Sequence, residues 1–149
     1  MPKTSKTPDK AGERRSLQPD GGWIPSIQLL SVFVPGRPVP QGSMRALGKG
    51  RMTHSQPQLV AWRTTIGWAC RAALRLQEPT AADVAVTVDF GLRPRRQGDS
   101  PDLDKLVRAV LDALTGIVWV DDKQVIELDA VKHVNPTVPE GVLITVETP

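Results

Sequence analysis

The chain has 149 residues, 40% of them hydrophobic, with 19 Lys and Arg against 16 Asp and Glu and a formal net charge of +3. This suits one domain with a core of ordinary size, and no apolar run approaches the roughly 20 residues that a bilayer crossing needs. The single cysteine, Cys70, excludes an intramolecular disulfide and fits a reducing cytoplasm, while so small a net charge leaves the placement of the basic residues to argue for a polyanionic partner.

Residues 1–25 carry Lys3, Lys6, Lys10, Arg14 and Arg15 among Pro, Ser, Asp and Gly. They cannot bury enough surface to offset chain entropy, so they read as a disordered basic tail on a folded domain spanning 26–149. No apolar h-region follows, which excludes a secretory signal. Residues 27–34 (IQLLSVFV) read as a strand ended by Pro35-Gly36, and their unbroken apolar character predicts cover on both faces. Residues 35–53 are loop by composition and carry Arg37, Arg45, Lys49 and Arg51. Arginines among glycines suit phosphate contact, because the backbone can approach closely; a polar surface loop accounts for them equally well.

Residues 55–76 predict a helix. Leu59, Trp62, Ile66, Ala69 and Ala73 form one apolar stripe, with Ser55 as N-cap, Pro57 in the first turn and Glu78-Pro79 as the stop. Trp62 and Trp68 are stacking platforms or core aromatics, and helical spacing favours the core. Cys70 reads as a small core residue. Residues 83–90 (DVAVTVDF) alternate as a half-buried strand, on which Asp89 reads as an exposed carboxylate or an outer partner of the acidic cluster that follows. Residues 91–99 form a basic turn with Arg93, Arg95 and Arg96. A phosphodiester must be gripped on either side of a cut, so arginines beside an acidic site point to a nucleic-acid backbone.

Residues 101–115 predict a second helix, apolar at Leu103, Leu106, Val107, Val110, Leu111 and Leu114. Ser100 would cap it, Pro101 would take its first position and Gly116 its C′ position. Strand-like runs from about 125 to 133 and from 142 to 147 flank the turn NPTVPEG. The order β-α-β-α-β-β makes an α/β (α+β) domain, a small mixed β-sheet with two helices packed on it. The VLITVE run should lie within that sheet or at its edge.

Two acidic pairs bracket the second helix, Asp102 with Asp104 and Asp121 with Asp122. Each pair alone reads as capping or turn residues. Residues two apart in an ideal helix point to nearly opposite sides, so for the first pair to converge the helix must begin after Asp102. The IVWV segment can run back beside the helix and return the second pair to the first. Carboxylates meeting there would repel one another. A hard divalent cation with oxygen ligands resolves that, Mg²⁺ first and Mn²⁺ as a substitute. No Cys/His cluster offers a zinc site, and His54 and His133 stand alone. Lys105 and Arg108 can hold a phosphate or stabilise developing charge, or Arg108 can form a surface ion pair with Asp104.

The pattern DLDKLVRAVLDALTGIVWVDDKQV resembles the RusA family of Holliday-junction resolvases, whose motif runs D-x-D-N-L-x-K, a helix ending D-A-L, and D-D-x-Q-[VI]. FVPGRPVPQGSMR is similar to that family's first strand and basic loop, and the similarity begins at about Gln28. The resemblance implies Asp102, Asp104 and Asp122 as catalytic carboxylates binding Mg²⁺, with Asp121 as the neighbouring acid. It implies a homodimer that makes paired symmetric nicks in branched DNA, in a bacterial or phage-infected cell. Arg108 and Lys105 would steady the scissile phosphate, while Arg37, Arg45, Lys49, Arg51, Arg93, Arg95 and Arg96 would hold the DNA arms. Lys105 stands where the family has Asn and Arg108 where it has Lys; Arg keeps the charge without the compact ammonium. A non-catalytic junction-binding protein and a metal-dependent nucleotide phosphohydrolase are the rival readings.

Overall fold

The computed structural model describes residues 7–8, 14–17, 23–42, 45–47, 51–53, 57–96 and 100–149. Short strands β1 (Thr7–Pro8), β2 (Arg14–Leu17) and β3 (Trp23–Pro25) pair antiparallel in that order. The expected tail falls partly on them and otherwise outside the described residues. Next come β4 (Ile27–Pro35), the antiparallel pair β5 (Arg45–Leu47) and β6 (Arg51–Thr53) inside the stretch expected to be loop, and helix α1 (Pro57–Ala73). Then follow β7 (Val84–Leu92), helix α2 (Leu103–Leu114), β8 (Val125–Val134) and β9 (Gly141–Thr148). The main sheet has the order β4-β9-β7-β8, with β8 parallel to β7 and the other neighbours antiparallel. Apart from the short pairs, this is the predicted β-α-β-α-β-β order on a mixed sheet. Among the described residues no helix is long and apolar enough to cross a membrane.

The alternation in β7 does what its period requires. Val84, Val86, Val88 and Phe90 are buried, and Val142, Ile144 and Val146 of β9 lie in the same core. Helix α1 covers that face with Leu59, Trp62, Ile66 and Cys70, and α2 covers it with Leu106, Val110 and Leu114. Each such side chain, fully buried, contributes about 1.5–3 kcal/mol. Asp89 alternates with Val88 and Phe90, so it lies on the face turned away from the helices, half-buried and in register with Val131 and Leu143.

Three local expectations need correction. Strand β4 is an edge strand covered on one face only: Leu30 and Val34 are buried while Ser31 and Phe33 are exposed, because both helices pack on the same side. Helix α1 ends at Ala73, short of residue 76, since Arg75 (φ 55°) and Leu76 (φ 62°) turn left-handed. Helix α2 begins at Leu103, so neither Ser100 nor Pro101 belongs to it. The VLITVE run lies inside the sheet, between β4 and β7. Ser55 and His54 lie outside the described residues.

Candidate active site

Asp102 occupies the N-cap of α2 with extended backbone (φ −66°, ψ 137°), so the helix begins after it as convergence of the first pair demands. Pro101 disfavours helical backbone at Ser100. Lys132 of β8 then pins the approach: its Nζ donates to Ser100 Oγ and to Pro101 O, each at 2.8 Å. The Ser100 hydroxyl therefore receives an ammonium instead of capping the helix. Asp104 sits in the first turn, beside the positive end of the helix dipole. Lys105 Nζ stands 3.6 Å from Asp102 Oδ2, so this cation belongs to the first carboxylate.

The return of the chain is built just as locally. The backbone N–H of Thr115 closes α2 on Leu111 O at 3.0 Å. Gly116, at φ +87°, then reverses the path, and its N–H reaches Trp119 O at 2.7 Å. That conformation belongs to the mirror side of backbone space, which glycine alone enters freely. Val118 and Trp119 are fully buried and anchor the segment. Asp122 is delivered beside the end of α2, where its Oδ1 accepts from Thr115 Oγ1 and lies 3.2 Å from Trp119 Nε1.

Asp121 does different work. It caps a turn of 3-10 helix over Asp122–Gln124, accepting from Lys123 N at 3.0 Å. Gln124 completes the capping box: its Oε1 accepts from Val120 N and Asp121 N, and its Nε2 donates to Thr80 O and Ala82 O. The glutamine of the D-D-x-Q pattern is thus the clamp that holds the acidic turn to residues 80–82.

One open cleft of about 480 Å³ is lined by Gln41, Asp104, Val107, Arg108, Leu111, Asp112 and Asp122. It unites one carboxylate from each pair with Arg108. Asp102, Lys105 and Asp121 do not line it. Among the described residues, no three His, Cys, Asp or Glu side chains stand close enough together to hold a metal ion. The donors nevertheless suit a hard cation. They are carboxylate oxygens, and on the same wall Gln41 Oε1 is a buried acceptor without a donor among the described residues. Gln41 Nε2 donates to Asp112 Oδ2 at 2.6 Å and its N–H reaches Lys105 O at 3.0 Å, so it ties the loop after β4 to α2. Sequence reasoning missed Gln41, Asp112, Thr115, Gln124 and Lys132; for Asp112, Thr115 and Gln124 the available signal was their place inside the acidic motif.

The basic candidates divide. Arg37 Nη1 donates to Glu140 Oε2 at 2.7 Å and to Arg93 O at 2.6 Å, which commits it to joining three segments. The Arg93 N–H reaches the same Glu140 oxygen at 3.0 Å, and Arg93 Nε donates to Val138 O at 3.0 Å. These bonds, with the Arg93 amide first and the Arg37 guanidinium second, hold the Glu140 carboxyl below its ordinary value. Arg95 and Arg96 are exposed. Arg45 and Arg51 fall on β5 and β6, and Lys49 lies outside the described residues.

The chain matches the family model for endodeoxyribonuclease RusA over residues 35–147, a span that holds every residue of the cleft. A comparison with curated proteins finds no match.

Proposed function

The chain belongs to the RusA family, endodeoxyribonucleases that hydrolyse DNA phosphodiester bonds and resolve Holliday junctions, and from that premise we propose a Mg²⁺-dependent enzyme that resolves four-way junctions by paired symmetric nicks. The observation that carries this reading is the meeting of Asp104, Asp122 and Arg108 on one cleft. Asp104 and Asp122 would hold the cation, with Asp102 one step outside the cleft as the third carboxylate, and Mn²⁺ is the natural substitute. A bound divalent ion supplies an activated water and neutralises phosphate charge. The Arg108 guanidinium presents paired N–H donors to the scissile phosphate, which suits bidentate capture. Lys105, drawn to Asp102, sets the posture of that carboxylate, so Arg108 takes the role of the family's lysine. We assign Asp121 to the fold, as the cap of its turn, and not to the metal. Arg95 and Arg96 would grip a DNA arm, together with Arg45, Lys49 and Arg51; residues 1–25 would extend a 26–149 nuclease unit.

Paired nicks need two sites. The sheet face away from the helices would supply the surface for a homodimer. Phe33, Leu143, Asp89 and Val131 form one cross-strand row there, and its apolar members are 44%, 39% and 43% exposed. Burying such a row against its copy fits an isologous interface. Activity of this kind belongs inside a bacterial or phage-infected cell, where branched DNA arises.

The test is a synthetic four-way junction incubated with Mg²⁺, with Mn²⁺ and with EDTA. Paired nicks with either metal and none in EDTA are expected, and Asp104→Asn should slow them about a hundredfold or more. Binding that persists in EDTA without cutting under any metal would leave a junction-binding protein. Turnover of free nucleotides without affinity for branched DNA would leave a phosphohydrolase.

A further inference from the structure

The two large aromatics of α1 have opposite fates. Trp62 is 5% exposed and packs in the core, whereas Trp68 is 68% exposed. A single exposed apolar side chain needs no explanation, so the exposure of this indole counts only with what surrounds it. Trp68 is also not alone. It lines a groove of about 560 Å³ between α1 and α2, with Arg63 and Arg71 on the α1 side and Asp112, Ala113 and Ile117 on the other. The Arg71 guanidinium lies 5.9 Å from the indole centroid, within cation–π range, and steadies one side of the ring.

This groove adjoins the candidate active site. Asp112 lines both, so the two clefts meet at that residue of α2. The Asp112 carboxylate is already engaged by Gln41 Nε2, which lessens its repulsion toward a passing anion. From Asp104 to Asp112 the helix advances eight residues, roughly 12 Å at 1.5 Å per residue. A guanidinium over one face of an exposed indole and a second in the same groove are the parts of a base-stacking platform: the other ring face takes a base without regard to sequence, and the cations take the flanking phosphates.

We propose that the α1–α2 groove is a nucleobase subsite, in which Trp68 stacks on a base unstacked at the branch of the junction, while Arg63 and Arg71 hold the neighbouring phosphates. This deepens the nuclease reading and rests on it. In linear duplex every base is already stacked on its neighbours, so the contact is available chiefly at a branch. The groove therefore contributes to structure selectivity as well as to affinity.

The experiment measures binding of the full chain in EDTA, by fluorescence anisotropy, to an immobile four-way junction and to linear duplex of the same arm sequence. It then measures single-turnover nicking in Mg²⁺ at saturating protein. Trp68→Ala should weaken junction binding about tenfold and linear binding less than twofold, with saturated nicking within about twofold of wild type. Trp68→Phe should recover most of the junction affinity, because it keeps an aromatic face. Arg63→Ala and Arg71→Ala should weaken both DNAs and each lower the salt slope by about one. Trp68 is exposed, so an unchanged melting temperature in Trp68→Ala separates the effect from misfolding. Junction binding by Trp68→Ala equal to wild type, or an equal loss on linear DNA, overturns the proposal. A wild type that binds and nicks junctions while either of those results holds sinks the subsite alone; a wild type that neither binds nor nicks sinks the nuclease reading with it.

Discussion

A hydroxyl has one proton, and the Thr115 oxygen has several claims on it. Leu111 O lies 2.9 Å away, Asp122 Oδ1 lies closer still, and Trp119 Nε1 approaches as a donor at 3.1 Å. The ionised carboxylate is the stronger acceptor, so the proton goes to Asp122 and the indole N–H supports the threonine oxygen from behind. Asp122 is thereby aimed by two side chains that never line the cleft. Thr115→Val keeps the shape and removes the donor. It should lower junction nicking about tenfold at saturating substrate while leaving junction affinity in EDTA unchanged, and Thr115→Ser should restore most of the rate. Equal nicking rates for wild type and Thr115→Val would show that Asp122 needs no such support. Cys70 makes the opposite case for a residue with chemistry in name only. Burial pushes its thiol up to about 12, so it stays a neutral core group at physiological pH, in keeping with its place on the buried stripe of α1.

At the scale of elements, the end of α1 carries visible strain. Arg75 and Leu76 both adopt left-handed backbone, and the Leu76 N–H reaches back to Arg71 O at 3.1 Å to close the helix. Helices usually place glycine at such a position, since an L side chain costs roughly 1–2 kcal/mol there. Leu76 is exposed and loses little packing if truncated. Leu76→Gly should therefore stabilise the protein by about 0.5–1 kcal/mol after the unfolded chain's gain in freedom is discounted. Urea unfolding would show a higher midpoint at unchanged slope, and a lower midpoint would mean that the side chain does more than its exposure suggests. The absence of glycine here is why the sequence reads as helix to residue 76. The start of α2 was legible only in part: the two-residue spacing of Asp102 and Asp104 required a start after Asp102, whereas Ser100 as cap and Pro101 as first residue put it two residues early. The covered face of β7 was legible too, from strict alternation. The one-sided cover of β4 was not, since an apolar run cannot say that both helices choose the same side of the sheet. Nor was Gln41, whose bond to Asp112 spans 71 residues of chain.

The whole molecule is closed at one end by a single carboxylate. Glu140 Oε2 accepts from Arg37 Nη1 just after β4 and from the Arg93 amide just after β7, while its own carbonyl accepts from Gly36 N at 3.1 Å. Three strands are thus tied at the turn that leads into β9. Alongside, Gly91 of β7 lies so close to Pro139 O that a Cβ there would overlap it, so the turn and the strand pack with no room for a side chain. Arg37 and Arg93, which their sequence context offered as DNA contacts, serve this tie, and they hold in place the loop that carries exposed Arg95 and Arg96. The Glu140 carboxyl is held below its ordinary value by those donors. A carboxyl whose folded value is the lower one stabilises the fold above the unfolded value, and that contribution is lost as pH falls through the folded value. Screening at a partly exposed ion pair limits it to about 0.5–1 kcal/mol. Glu140→Gln should accordingly be less stable than wild type by about that amount at neutral pH. The two proteins should converge as pH drops through and below the ordinary carboxylate range, because protonation then makes wild type resemble the variant. Urea titrations of both at a series of pH values from neutral to strongly acidic measure the gap. A gap that stays constant across the series would assign the loss to packing, whereas one that closes toward acid places it in the charge that joins the three strands.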